Sequence, residues 1–101
     1  PDYAEILLKK YPSCHILLTM GTAGSIYLDH QTRHEQSAFQ VHAVDTTAAG
    51  DTYTGYFIAA IARGADVPTA MKEASMASAI SVTRNGASTS IPERKEVLEA
   101  L

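Results

Sequence analysis

The sequence predicts an α/β chain in which helices pack on a small sheet, and three observations carry that prediction. Short apolar runs of strand character come first, at residues 14–20 and 25–29. Segments with helical periodicity follow from residue 51 onward, an order that favours helices layered on a sheet. The length of 101 residues allows one small domain with a single modest core.

Each element has its own local reason. Residues 3–11 place Ala4, Leu7, Leu8 and Tyr11 at helical spacing, and Pro12 ends the run. Residues 14–20 are almost continuously apolar, the pattern of a strand buried on both faces of a parallel sheet. Gly21 and Gly24 bracket a tight turn into the second strand, so the two runs form a hairpin-like unit. The polar stretch 30–36 reads as a turn or an exposed edge, and residues 39–44 as a brief extended piece. After Asp51, the residues Tyr53, Tyr56, Phe57, Ala60 and Ile61 recur at helical spacing up to Gly64, which suits a C-terminal cap. Asp66 and Pro68 open another helix that runs to about Val82. Its inner face of Ala70, Ala74, Ala77, Ser78 and Ser81 lets a backbone or a flat ligand come close. Residues 83–92 form a loop containing Gly86, and residues 93–101 a last short helix.

Bulk properties exclude several classes. With 46% hydrophobic and 19% charged residues the chain is not of the disordered type. A net charge of -3 and a pI of 5.7 offer no basic face for a nucleic acid. The longest apolar stretch, residues 56–62, is too short to span a bilayer. No basic and apolar leader is visible, and one cysteine cannot form an internal disulfide, which together lead us to expect the cytoplasm. That cysteine, Cys14, reads as a buried small hydrophobe beside a strand. His30 and His34 have a spacing seen in metal sites but lack a supporting framework of other ligands. The chain opens on Pro1 rather than methionine, so it is expected to be a piece of a longer protein.

The chemistry concentrates in Asp45-Thr46-Thr47-Ala48-Ala49-Gly50-Asp51-Thr52. Small residues leading into a helix leave backbone N–H groups unobstructed, and the helix start adds partial positive charge, so an anion is favoured there. A lone aspartate at a helix start is most often a cap. The competing reading is that Asp51 accepts the proton of an attacking hydroxyl while the amides of Ala48, Ala49, Gly50 and Asp51 stabilise a transferring phosphoryl group. On spacing alone both readings stand. There is no P-loop pattern and no strand lysine of the protein-kinase kind.

This segment resembles the second signature of the ribokinase-like (PfkB) sugar and nucleoside kinases, D-T-x-G/A-A-G-D. Two further stretches match in the same order. Thr19-Met20-Gly21-Thr22-Ala23-Gly24 is similar to the family's strand-turn that lines the nucleotide. Residues 79–87 with Ser90-Ile91-Pro92 are similar to the stretch near the end of ribokinases. The resemblance covers nearly the whole chain, and Ala48, where many members carry glycine, leans towards the ribokinase branch. It implies the C-terminal, nucleotide-binding part of a three-layer α/β/α fold over residues 1–101, with helices on a small central sheet.

The resemblance also implies roles. Asp51 falls on the catalytic base, and the amides of Ala48, Ala49, Gly50 and Asp51 fall on the anion hole. Thr19, Gly21, Thr22, Ala23 and Gly24 fall on the nucleotide turn, as does Gly50. Ser75 falls near the adenine, where the family often has Asn or His. Asp45, Thr47, Ser81, Arg84, Gly86 and Ser90 fall on a cage for a monovalent cation, usually K+. The implied activity is ATP- and Mg2+-dependent phosphorylation of a small sugar. Fructose, tagatose phosphate or a nucleoside are alternative acceptors, and a non-catalytic nucleotide-binding module is an alternative to an enzyme. The sugar-binding residues and lid belong to an N-terminal part not in this sequence, so the chain alone is expected to be inactive. It is also expected to expose a sheet edge through which copies associate, for example as a homodimer. Tyr56, at a position usually small, points to altered helix packing.

Overall fold

A computed structural model describes residues 2–84 and 91–101. The first helix, α1, spans Tyr3–Lys10; Asp2 caps it by accepting from the Glu5 amide at 3.1 Å. Ala4 and Leu8, one turn apart, are buried. Leu7 and Tyr11, expected on the same inner face, are instead 36% and 49% exposed. α1 packs against two strands, β1 (Ile16–Thr19) and β2 (Ser25–Leu28), and that narrow strip covers only one line of its residues.

A third strand, β3 (Arg33–Gln36), completes a sheet of order β1-β2-β3 that is antiparallel throughout. The hairpin expected of the two runs is present, whereas the expected burial of residues 14–20 on both faces is not. β1 is half-buried, and its one neighbour among the described residues runs against it. The link between Thr19 and Ser25 explains why: a few residues can only reverse the chain, whereas a parallel partner needs a crossover of a dozen or more. β2 is the strand buried on both faces. Ile26 and Leu28 meet Ala4 and Leu8 of α1 on one side. Tyr27 faces the other side, towards Tyr53 and Phe57 of α2 (Ala49–Ala62) and Met71 and Ala74 of α3 (Val67–Val82). The result is the expected α/β/α layering.

Cys14 is exposed rather than buried. The strand begins only at Ile16, so Cys14 sits in the turn after α1, its amide bonded to the Tyr11 carbonyl. The piece at residues 39–44 is not a strand. The amides of Val44 and Asp45 donate instead to the Val82 carbonyl at the end of α3, at 2.6 and 3.0 Å, while Phe39 and Val41 turn towards a pocket.

The helices end where local chemistry says they should. Gly64, at φ 92°, closes α2 in a Schellman arrangement: its amide donates to the Ile61 carbonyl and the Ala65 amide to that of Ala60. Asp66 caps α3 by accepting from the Thr69 amide at 2.9 Å. α4 (Arg94–Ala100) begins with a reciprocal Glu93–Glu96 capping box. Buried Glu73 of α3 is held between Arg63 at 3.0 Å and Arg94 at 3.4 Å, which ties three helices together. Tyr56 donates to the Pro92 carbonyl, so the bulky side chain flagged in the sequence joins α2 to the approach of α4. No helix among the described residues is long and apolar enough to cross a membrane.

The β2–β3 turn has a titratable fastening. Asp29 accepts from the amides of Gln31 and Thr32 and from the Tyr27 hydroxyl, each at 2.8 Å. Those bonds, the Gln31 amide foremost, hold its carboxyl down at about 2. Burial first, then Asp29, pushes the Tyr27 phenol up to about 12. A depressed carboxylate contributes stability that is whole above its unfolded value of about 3.9 and lost as pH falls through the folded one. Thermal melts should therefore show the protein losing stability between about pH 4 and pH 2. Asp29→Asn should be less stable at neutral pH and have a flatter dependence across that window; an unchanged slope would contradict the fastening.

Candidate active site

Three predicted segments converge on one open-sided pocket of about 210 Å³. Thr19, Gly21 and Gly24 line it from the sheet, Ala49 and Gly50 from the first turn of α2, and Ser75 from the middle of α3. Thr22 and Ala23 belong to the same single 3-10 turn, Gly21–Ala23. That turn is closed by the Met20 amide donating to the Gly24 carbonyl at 2.8 Å, with Gly21 at φ 57° and Gly24 at φ 98°. Both glycines take a hand of backbone that side chains resist.

The start of α2 excludes the cap reading of Asp51. The N-cap is Ala48, which has no side chain able to cap, and Asp51 lies three residues further in, at N3. Its carboxylate is exposed and has no hydrogen-bond partner among the described residues. It is therefore not a cap. It is a free carboxylate beside the first-turn amides.

Those amides are not all available. The Ala49 amide donates to the Thr46 carbonyl at 3.2 Å, which removes it from the expected set of four. The helical ladder starts with the Thr52 amide on the Ala48 carbonyl, and the amides of Ala48, Gly50 and Asp51 have no backbone partner among the described residues. A side chain at Gly50 would meet nothing within 4 Å, so there is open space over this turn. Unpaired N–H groups at a helix start with room above them suit a phosphoryl-sized anion.

Ser75 lines the pocket although it is largely buried. Its hydroxyl neighbours the phenol of Tyr53, which in turn lies 2.6 Å from the Ser25 hydroxyl. Burial raises the Tyr53 phenol, and the two serine hydroxyls partly offset this. Of the positions matched to a cation cage, the described ones, Asp45, Thr47, Ser81 and Arg84, lie at or near the C-terminal end of α3, where carbonyls and the helix dipole favour positive charge. Asp45 is joined there through its amide to the Val82 carbonyl, and its carboxylate accepts from the amide and hydroxyl of Thr47. Ser81 is buried and donates to the Ser78 carbonyl at 2.8 Å. Arg84 is ion-paired with Glu96, so only its backbone is free to act as a ligand. Gly86 and Ser90 lie outside the described residues. Sequence reasoning missed Phe39, Val41 and Ala43 as pocket walls; their apolar character in a polar stretch was the available signal.

A glycine turn facing open helix-start amides, in an α/β/α frame with an exposed carboxylate alongside, has the shape and polarity that suit a phosphoryl-sized anion. The chain belongs to the pfkB family carbohydrate kinases, whose sequence profile matches residues 2–94. The ribokinase of Haemophilus influenzae is 40% identical over 86 residues, 85% of this chain and 28% of that protein. The crystal structure of ribokinase from Thermotoga maritima superimposes with a TM-score of 0.87 at 38% identity, covering 95% of this chain and 32% of that one. Arabidopsis thaliana ribokinase, solved with ribose and ATP, matches with a TM-score of 0.81 at 33% identity, covering 84% and 28%. The chain thus spans less than a third of the length of these relatives.

Proposed function

We propose that this chain is the nucleotide-binding, C-terminal part of a longer cytoplasmic kinase of the ribokinase branch, which transfers the γ-phosphoryl group of ATP to a sugar hydroxyl. The observation that carries the reading is the meeting of the glycine turn and the open α2 amides in one pocket, with Asp51 unengaged beside them. The acceptor oxygen bonds to phosphorus as the bridging bond to ADP breaks, and the hydroxyl proton passes to the Asp51 carboxylate. A loose transition state needs little proton removal early, so a carboxylate suffices as base. The amides of Gly50 and Asp51 hold the charge on the transferring group. Bound Mg2+ would neutralise the phosphates, as phosphoryl transfer generally requires. Asp45, Thr47 and Ser81, with the backbone of Arg84 and the further positions Gly86 and Ser90, would hold K+ beside the anion hole and steady it.

The free state of the Asp51 carboxylate favours an enzyme over a module that only binds nucleotide. The test is ATP-dependent phosphorylation by the full-length protein of ribose, fructose, tagatose phosphate and a nucleoside, with and without K+. Turnover is expected on ribose and to fall when K+ is replaced by an organic cation. Turnover on no member of the panel would overturn the reading.

A further inference from the structure

Among the tyrosines of the core, Tyr53 is the one whose hydroxyl joins the two halves of the candidate site. It stands two residues beyond Asp51 on the buried side of α2, 5% exposed, and lines the pocket floor. Its hydroxyl is 2.6 Å from that of Ser25, the first residue of β2 and the immediate successor of Gly24. Ser25 is 3% exposed and Ser75, the second neighbour of the phenol, 7%. Three hydroxyls from β2, α2 and α3 thus meet directly under the pocket.

The ring of Tyr53 belongs to the apolar core with Tyr27, Phe57 and Ala74, a task phenylalanine would perform as well. The hydroxyl adds nothing to that packing, and its desolvation is offset only because it is bonded. What a short directional bond adds is a fixed distance. Apolar contacts tolerate a helix sliding along a sheet by a fraction of an ångström, whereas a hydrogen bond of this length does not.

We propose that Tyr53 is a positioning residue for phosphoryl transfer: its bond to Ser25 locks the first turn of α2 against the glycine turn. The clamp fixes the spacing between the amides of Gly50 and Asp51, which face the transferring group, and the backbone from Thr19 to Gly24, which faces the rest of the nucleotide. The claim rests on the kinase reading above. It concerns rate and nucleotide affinity, because misplacing groups by about 1 Å can cost roughly a hundredfold in rate.

The experiment compares Tyr53→Phe, Ser25→Ala and the double variant in the full-length kinase. Each single change should lower kcat about tenfold and raise the KM for ATP severalfold, with the KM for the sugar unchanged. The double variant should be no worse than either single one, since all three remove the same bond. Kinetic constants within twofold of the parent, fully additive losses, or a lowered melting temperature with unchanged kinetics would each overturn the proposal. If the parent protein transfers no phosphoryl group, the kinase reading fails by itself and the clamp is read by amide hydrogen exchange. Faster exchange at the Thr52 and Tyr53 amides in Tyr53→Phe would then support it, and unchanged exchange would overturn it.

Discussion

On the proposed function, replacing Asp51 by asparagine in the full-length protein is expected to lower kcat about a thousandfold, within the range that general-base groups supply, while leaving the KM for ATP nearly unchanged. That loss corresponds to about 4 kcal/mol of barrier. The fold should survive. The carboxylate is exposed and unbonded, so the change removes only its attraction to the helix start, worth about 0.5 kcal/mol. Steady-state rates together with a denaturation curve separate the two quantities. A variant with more than a third of the parent's turnover would remove Asp51 from the chemistry and leave it a surface residue.

Gly24→Ala should have the largest effect on stability. Gly24 has φ 98° and ψ -151°, a region open essentially only to glycine. An added Cβ would run into the Gln36 carbonyl oxygen and come within 3.2 Å of the Gln36 carbonyl carbon and of Ser37 Cα. All of these are backbone atoms at the end of β3, so none can rotate aside. Strain and overlap together should cost about 3–5 kcal/mol, most of what a small domain has to lose. Gly21→Ala is the control. At φ 57°, with nothing within 4 Å, it should lose about 1–2 kcal/mol. Equal denaturation midpoints for the two variants would contradict the close approach of β3 to the turn.

The features legible in the sequence were those made by neighbours along the chain. Asp66 and Pro68 start α3, and Gly64 ends α2, because caps involve residues three to five positions apart. The glycine turn and the small-residue approach to Asp51 could be found for the same reason. Direction and depth were harder to read. An apolar run such as residues 14–20 has the same composition whether its partner runs parallel or antiparallel, and Cys14 looks like part of that run although the strand starts after it. The segment at residues 39–44 has strand-like residues, but their apolar side chains serve the pocket and its end bonds to α3.

The sequence by itself therefore determined the family resemblance, the existence of the helices and the caps and turns that separate them, since each is written in local spacing. Only the tertiary structure decided that Ala48, not Asp51, stands at the cap, and that the Ala49 amide is already taken by Thr46. It alone brought Tyr53 against Ser25, 28 residues away, beneath the pocket. The reason is physical: caps and turns are closed by bonds between near neighbours, whereas the geometry of a site depends on which distant surfaces pack together, and side-chain pattern constrains that only through the whole fold.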